Sequence, residues 1–472
     1  MDMIIQAINS VNAFVWGPPM IIFLLGTHLF LTVRTKGIQL KLFKAIKMSV
    51  EKEDEGASGD ISQFGALCTT LAGTIGTGSI VGVGTAILAG GPGAIFWMWL
   101  TGVFGIATKY SEVFVAVKFR EKDSSGKIMG GTMVVFKKAF LDKDGKVPKW
   151  AKFGAGAFAL FCALATLGTG SAVQSQAITN ILSSNLGGVP NWAIGAIITA
   201  IVALVVVGGI KNIAKVCELL VPFMAAAYAF GCLAILIMNS DVLWEALQLI
   251  VVAAFDPKAA FGGALGSGII VAMQYGCARG LFSNESGLGT APIVSCAAQT
   301  KNPARQALIS MTGTFWSTVV MCLLTGIVIT SSMIKYPDII SNITSNNITA
   351  GAQLTNAAFN EIPYLGAPLL MLGIVTFALS TILGWYYYGD RCVSYLFGKK
   401  AVRVYQVLYL CAAMLGAIGV GDVAWAVSDI ANALMAIPNI IAVLLLSNLI
   451  AKETKHYVWE KNLDEVDQAL CV

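Results

Sequence analysis

The sequence predicts an all-α polytopic membrane protein with about eleven transmembrane helices, and three observations lead there. Of its 472 residues, 56% are hydrophobic and 12% charged, with a mean hydropathy of +0.75, a balance far from that of a soluble domain. Apolar runs long enough to cross about 30 Å of hydrocarbon recur along the whole chain. Two of them carry glycines and small polar residues in their interior: Gly73-Thr-Ile-Gly-Thr-Gly-Ser79 and Gln274-Tyr-Gly-Cys-Ala-Arg-Gly280.

The runs fall at roughly 12–33, 62–89, 92–117, 153–181, 192–209, 214–238, 262–282, 305–330, 365–397, 403–420 and 423–448. The first lacks a basic leader and a cleavage site, so it reads as a retained span and not as a signal peptide. Residues 242–255 place Leu243, Leu247, Ile250 and Ala254 on one face but are too short to cross. They read as an amphipathic helix at the interface. Phe96, Trp97 and Trp99 stand near a span boundary and suit an interfacial aromatic belt, while Trp316, Trp385 and Tyr386 either narrow a pocket or pack between helices.

Orientation follows from lysine and arginine. The segment 34–60 carries Arg34, Lys36, Lys41, Lys44, Lys47 and Lys52, and 118–152 carries ten more. Lys211, Lys215, Arg279, Lys301, Arg305, Arg391, Lys399, Lys400, Arg403, Lys452, Lys455 and Lys461 are assigned to loops on the same side, against only Lys258 and Lys335 opposite. By the positive-inside rule the N-terminus is outside and the C-terminus cytoplasmic. The net charge of +5 therefore expresses topology, and no basic face is free to bind nucleic acid. The basic segments are expected on the cytoplasmic surface, against anionic lipid. In the external loop, Asn342-Ile-Thr and Asn347-Ile-Thr fit glycosylation acceptors.

The interrupted runs are the informative ones. Every peptide group in hydrocarbon needs a partner, so unwound backbone persists only where protein buries it or a polar site uses it. The second and seventh runs lie five spans apart and are antiparallel, as an inverted five-helix repeat requires. The chain then reads as one transporter domain over 1–472, with 12–33 an added span, 62–238 the first repeat and 262–448 the second. Broken helices in corresponding positions point to a substrate site; the competing reading of Gly73–Ser79 is close helix packing through small residues. Ten scattered cysteines without a CxxC pair and two isolated histidines, His28 and His456, speak against a metal cluster or a disulfide framework. Neither a His or Cys constellation nor paired carboxylates stand at midplane depth, which disfavours an intramembrane enzyme.

Four blocks carry a resemblance: Gly90-Gly-Pro-Gly-Ala-Ile-Phe-Trp-Met-Trp99, Gly280-Leu-Phe-Ser-Asn-Glu-Ser-Gly-Leu-Gly-Thr-Ala-Pro292, Ser380-Thr-Ile-Leu-Gly-Trp-Tyr-Tyr-Tyr-Gly-Asp390 and Ser428-Asp-Ile-Ala-Asn-Ala-Leu-Met-Ala-Ile-Pro-Asn439. In this order, across about residues 60 to 450, the chain resembles the alanine or glycine:cation symporter family. The resemblance implies the five-plus-five inverted-repeat fold of the bacterial leucine transporter, sodium-coupled uptake of alanine or glycine, and no cofactor beyond Na+ as coupling ion. By resemblance to the wider fold, Ala72, Ile75, Phe377, Ser380 and Thr381 would enclose the sodium ion. The alternative for the two hydroxyls is a bond back to the preceding turn.

A small zwitterion can be held at the midplane without a buried ion pair. Free N–H groups at a restarting half-helix near Thr77 and Gly78 suit a carboxylate, and carbonyls ending the other half near Gly73 and Thr74 suit an ammonium group. Gln174 and Gln274 add amides that donate and accept without the desolvation cost of a charge, although a plain interhelical hydrogen bond also explains Gln174. In the seventh run Ala272, Gly276 and Cys277 complete the candidate substrate contacts. Thr166, Thr169 and Ser171 read as local helix hydrogen bonding.

Membrane-embedded charges are functional candidates by default. Lys109 and Glu112 are spaced for a local ion pair, Glu218 lies within a turn of Lys215, Asp429 has no charge three or four residues away, and Asn284 with Glu285 suits a cap at the inner end of the seventh span. Coupling to protons in place of sodium, and an ion channel, are the remaining alternatives. Labelled alanine should show trans-stimulated counterflow in proteoliposomes, which a channel does not support; its absence would exclude an alternating-access carrier.

Overall fold

The computed structural model describes residues 2–51, 57–123, 126–256, 268–338, 348–467 and Leu470. Lys52, Lys258, Asn342, Asn347 and the start of the expected seventh run lie outside the described residues. The described chain is almost wholly helical, and its one sheet is a two-residue hairpin pairing Glu121 with Met129 and Lys122 with Ile128.

Among the described residues, seven helices are long and apolar enough to cross a membrane, or eight if Pro18–Arg34 and Ile38–Ser49, bent by 64°, count as one span. The seven are Gly93–Lys118, Lys149–Leu186, Gly209–Met238, Pro303–Lys335, Gly366–Phe397, Lys399–Gly419 and Ala424–Leu445. Other expected runs are too short as continuous helices. The 62–89 run divides into Gln63–Thr74 and Val81–Gly90, while Asn191–Val206 and Ile269–Asn284 have 16 residues each. Phe153, Leu204, Leu219 and Ile237 stand on the exterior, the apolar surface that a bilayer solvates.

Local sequence explains the helix ends. Ser62 accepts from Gly65 N at 2.7 Å, and Asn302 accepts from Arg305 N at 3.0 Å ahead of Pro303, both N-caps supplying an oxygen to an orphan amide. Glu218 accepts from the same Ser62 hydroxyl at 2.7 Å, so its contact is across helices and differs from the local lysine pairing expected of it. At the exposed end of Pro303–Lys335, Lys335 donates to Asp241 at 3.1 Å and holds that carboxyl below its usual range. Leu243–Phe255 packs Ala246, Ile250, Ala253 and Ala254 inward, and Phe255 meets Phe96 and Trp97 edge to face.

The first expected span is resolved into two helices. Asp2–Val15 and Pro18–Arg34 meet at Trp16-Gly17, where proline opens the second helix. Pro18–Arg34 packs on Gly93–Lys118, with His28 Nδ1 and Thr108 Oγ1 2.7 Å apart.

The seventh run corrects the expected break. Ile269–Asn284 is continuous through Gln274–Gly280, because its glycines serve close packing: a Cβ on Gly276 would strike Ala94 O, and one on Gly280 would strike Thr101 Oγ1. The helix ends instead at Glu285, which is left-handed (φ 54°), and the chain turns through Gly287 (φ 96°) and Gly289 (φ 79°) before Ala291–Ser295. These are conformations that glycine adopts without a Cβ clash. Arg279, assigned by charge counting to a loop, lies within the helix.

One side chain organises that turn. Glu112 Oε2 accepts from Gly287 N (3.1 Å), Gly289 N (3.2 Å) and Asn439 Nδ2 (2.8 Å), while Oε1 lies 3.2 Å from Lys109 Nζ. The Lys109–Glu112 pair is local, as its spacing predicts, but its ends reach two further helical segments. Just past the end of Gly93–Lys118, Arg120 donates to Cys296 O, Ala298 O and Ser58 O. Glu112→Ala would remove the carboxylate 3.2 Å from Lys109 and leave Gly287 N, Gly289 N and Asn439 Nδ2 without this acceptor, so a loss of about 3–5 kcal/mol of stability is expected. It should be read as a lowered thermal-unfolding midpoint, and an unchanged midpoint would refute this role.

Candidate functional site

The site is built where the second run loses its hydrogen-bond ladder. Ile75 N still donates to Leu71 O, but Ile75 (φ −84°, ψ 76°) and Gly76 (φ −122°, ψ −154°) leave helical geometry. A tight turn at Thr77–Ser79 follows, and Val81–Gly90 resumes the helix. Carbonyls just before the break lose their intrahelical donors and must bond elsewhere.

The Gly366–Phe397 helix provides the replacements. Thr381 Oγ1 lies 2.8 Å from Ala72 O and 2.9 Å from Phe377 O, and Trp385 Nε1 donates to Gly73 O at 3.3 Å. Ser380 Oγ lies 2.9 Å from Phe377 O and 3.5 Å from Met224 Sδ. Four oxygens thereby gather against the break: Ala72 O, Phe377 O, Ser380 Oγ and Thr381 Oγ1. Ile75 stands in the break itself. All five residues are buried, and Ser380 also makes the local bond expected of a helical serine.

On the other side of the break, Thr77 Oγ1 donates to Gln174 Oε1 at 3.0 Å and Gln174 Nε2 donates to Thr169 O at 2.9 Å. Thr169 lies in a widened π-type turn, Gly168–Ala172, within Lys149–Leu186. Asn432 Nδ2 donates to Thr169 Oγ1 at 3.1 Å, Thr166 Oγ1 meets Tyr405 Oη at 2.9 Å and Ser171 Oγ donates to Tyr409 O at 3.0 Å. These hydroxyls therefore link helices. Thr166 alone of the three also bonds its own preceding turn, at Ala163 O.

Gly73, Thr74, Thr77, Gly78 and Gln174 are brought together at the break. Thr74 Oγ1 bonds back to Thr70 O at 3.1 Å. Ala272, Gln274, Gly276 and Cys277 are not: they sit on the N-terminal part of Ile269–Asn284, where Ala272 packs on Gly90 and Gln274 is half-buried. From that helix, Phe282 and Ser283 reach the break instead. A Cβ on Gly78 would lie 2.7 Å from the Phe282 ring, and Ser79 Oγ lies 3.0 Å from Ser283 Oγ. The quoted Gly280–Pro292 block held both residues, but nothing in its spacing separates a site residue from a cap.

Asp429 finds its partner on that same helix. Arg279 Nη2 donates to Asp429 Oδ2 at 2.7 Å, Trp425 Nε1 donates to the same oxygen at 3.0 Å, and the guanidinium lies over the Trp425 ring. Phe282 stacks on Trp425 with centroids 5.2 Å apart. A charged and aromatic layer thus covers the break, joining Ile269–Asn284 to Gly421–Leu445. The partner is far away in sequence, beyond any helical spacing.

A broken helix facing hydroxyls and amides in a polytopic helical protein defines the class of secondary transporters. The sequence profile of the sodium:alanine symporter family matches residues 1–469, and the chain belongs to that family, whose members are transporters and not enzymes. It is similar to the sodium/alanine symporter AgcS of Methanococcus maripaludis, 43% identical over 96% of this chain and 97% of that protein. An uncharacterized transporter of Haemophilus influenzae is 43% identical over 98% of both chains. Among solved structures, MhsT in complex with L-phenylalanine superposes with a TM-score of 0.60 at 15% identity, covering 86% of this chain and 95% of that one, a likeness of fold. The protein is a multi-pass membrane symporter that couples amino-acid movement to Na+.

A Cβ on Gly76 would collide with Thr381 Oγ1, whereas one on Gly82 meets only Thr77 O at 3.9 Å. Gly76→Ala is therefore expected to cost about 1–3 kcal/mol through overpacking, and Gly82→Ala to be nearly neutral. Thermal-unfolding midpoints of the two variants check this; equal midpoints would remove the claimed close approach.

Proposed function

We propose that this protein imports alanine and glycine together with Na+ by alternating access. The observation that carries the reading is the break at Ile75–Gly76, where peptide groups freed from the helix meet buried hydroxyls on one side and a glutamine amide on the other. Na+ is held by Ala72, Ile75, Phe377, Ser380 and Thr381, the main chain and hydroxyls replacing its water oxygens. The substrate carboxylate lies against the N–H groups of Thr77 and Gly78, with Gln174 orienting Thr77, and the ammonium group faces the carbonyls near Gly73 and Thr74. Of the seventh-run candidates, the contact is assigned to Phe282 and Ser283 in preference to Ala272, Gln274, Gly276 and Cys277, which face the outer packing. Phe282 over Gly78 leaves room for small side chains, and one methylene discriminates by only about 1–3 kcal/mol.

The chain is read as one transporter domain of eleven spans in the cell membrane, N-terminus outside and C-terminus cytoplasmic. The N-terminal Pro18–Arg34 helix is the added one, and the halves begin at the broken 63–90 segment and at Ile269. Both breaks, Ile75–Gly76 and 285–290, then occupy corresponding positions of an inverted repeat.

The energetics are sufficient with one ion. A cation crossing 100 mV supplies about 2.3 kcal/mol and a tenfold gradient about 1.4 kcal/mol. Together these sustain roughly five-hundredfold accumulation of a neutral amino acid.

Alanine uptake with Na+ replaced by choline at fixed pH should fall to background, and full uptake would overturn the ion assignment in favour of protons. Ser380→Ala with Thr381→Ala should raise the Na+ concentration for half-maximal uptake by roughly tenfold, about 1.4 kcal/mol. An unaltered sodium dependence would exclude these hydroxyls as ligands.

A further inference from the structure

Beneath the break stands a polar group that the symport reading does not use. Glu285 and Tyr388 are fully buried, at 0% exposure each. Glu285 Oε2 accepts from Thr290 Oγ1 at 2.6 Å, but Glu285 Oε1 and Tyr388 Oη make no well-formed hydrogen bond among the described residues, the Trp385 indole N–H beside the carboxyl being directed to Gly73 O. Both are aimed at the same small volume. A Cβ built on Gly73 would lie 2.8 Å from Tyr388 Oη and 3.4 Å from Glu285 Oε1, with Trp385 Cδ1 at 3.5 Å. The absence of a side chain at Gly73 is what leaves both oxygens open to a shared ligand.

The local charges point to what that ligand is. Lys109, Glu112 and Glu285 are all buried, one cation against two carboxylates. Lys109 Nζ lies 3.2 Å from Glu112 Oε1 and donates to the main-chain oxygen of Glu285 at 3.0 Å, so it is engaged by the other carboxylate. The remaining titratable neighbours bring no positive charge. Cys162 and Cys217 are buried thiols facing Tyr388, and the His28 ring bonds Thr108 and makes no ion pair with either carboxylate among the described residues. Glu285 therefore shares the one buried cation with Glu112, and this excess of carboxylate over cation is an imbalance that buried charges relieve by pairing or by taking up a cation.

We propose that Glu285 Oε1 and Tyr388 Oη form a second monovalent-cation site, separate from the Ser380 and Thr381 position and closed on one side by Gly73. The Gly366–Phe397 helix serves both sites from one face, since residues 381, 385 and 388 recur at helical spacing. Two cations can neutralise the carboxylate: Na+, with the phenol oxygen as a neutral ligand, or a proton on Oε1. The inference adds a cation to the sodium-coupled reading above, and rests on that reading only for the choice of Na+ as probe.

Equilibrium binding of radioactive sodium to the purified full-length protein, without amino acid, tests it against Glu285→Gln and Tyr388→Phe. The expected result is that Glu285→Gln binds one Na+ per chain fewer than the unmodified protein, and that Tyr388→Phe needs several-fold more Na+ to fill the same site. Equal sodium counts, with an infrared band of a protonated carboxyl at pH 7 that Glu285→Gln lacks, identify a proton as the occupant and also support the site. Equal counts with no such band overturn it. If Glu285→Gln does not fold, Tyr388→Phe decides alone, since a change in neither sodium affinity nor the carboxyl band overturns the proposal. An unmodified protein that binds no Na+ but shows the band would remove the sodium-coupled reading and leave this site standing.

Discussion

Everything at the centre of this protein depends on the demand of a buried peptide group for a hydrogen-bond partner. Where the helix stops at Ile75 and Gly76, Ala72 O and Gly73 O lose the donors that a continued ladder would supply, and in a low-dielectric interior that loss is costly. Thr381 Oγ1 and Trp385 Nε1 take their place. The break is thereby tied to the Gly366–Phe397 helix, and oxygens are gathered beside the unwound segment. Site formation and the satisfaction of freed backbone are one event.

The second interruption meets the same demand by different chemistry. At 285–290 the unsatisfied groups include amide N–H groups, and a carboxylate answers them: Glu112 Oε2 accepts from Gly287 and Gly289. Such charge-assisted bonds are stronger than neutral ones, but they require a countercharge, which Lys109 supplies one turn away on the same helix. Above the first break, Arg279, Asp429, Trp425 and Phe282 form a layer joining Ile269–Asn284 to Gly421–Leu445. The centre therefore lies between an ionic, aromatic layer and an ionic, main-chain layer.

Much of this was legible in the chain. Glycines with small hydroxyl residues at 73–79 marked the first break, because only a functional or tightly packed segment tolerates them inside an apolar run. The neighbouring Ser380 and Thr381 were legible through a family resemblance. The break at 285–290 was misread: the glycines at 276 and 280 fit a break in sequence terms, but they serve contact with Ala94 and Thr101. A glycine permits both close packing and unusual dihedrals, and the string of residues does not say which. Thr166, Thr169 and Ser171 looked local for a related reason, since a hydroxyl can always bond its own preceding turn.

By itself the sequence determined the solvent and the elements: apolar runs of spanning length, their order, the first interruption and the small polar residues beside it. Those properties are local, set by hydropathy over about twenty residues and by backbone preferences at single positions. Tertiary structure alone decided which of the glycine-rich segments unwinds, that Arg279 is the partner of Asp429, that Phe282 and Ser283 and not Gln274 meet the first break, and that Glu285 and Tyr388 converge on Gly73. Each of these joins residues far apart in the chain across a helix interface, where distance and orientation come from packing and leave no periodic trace in the sequence.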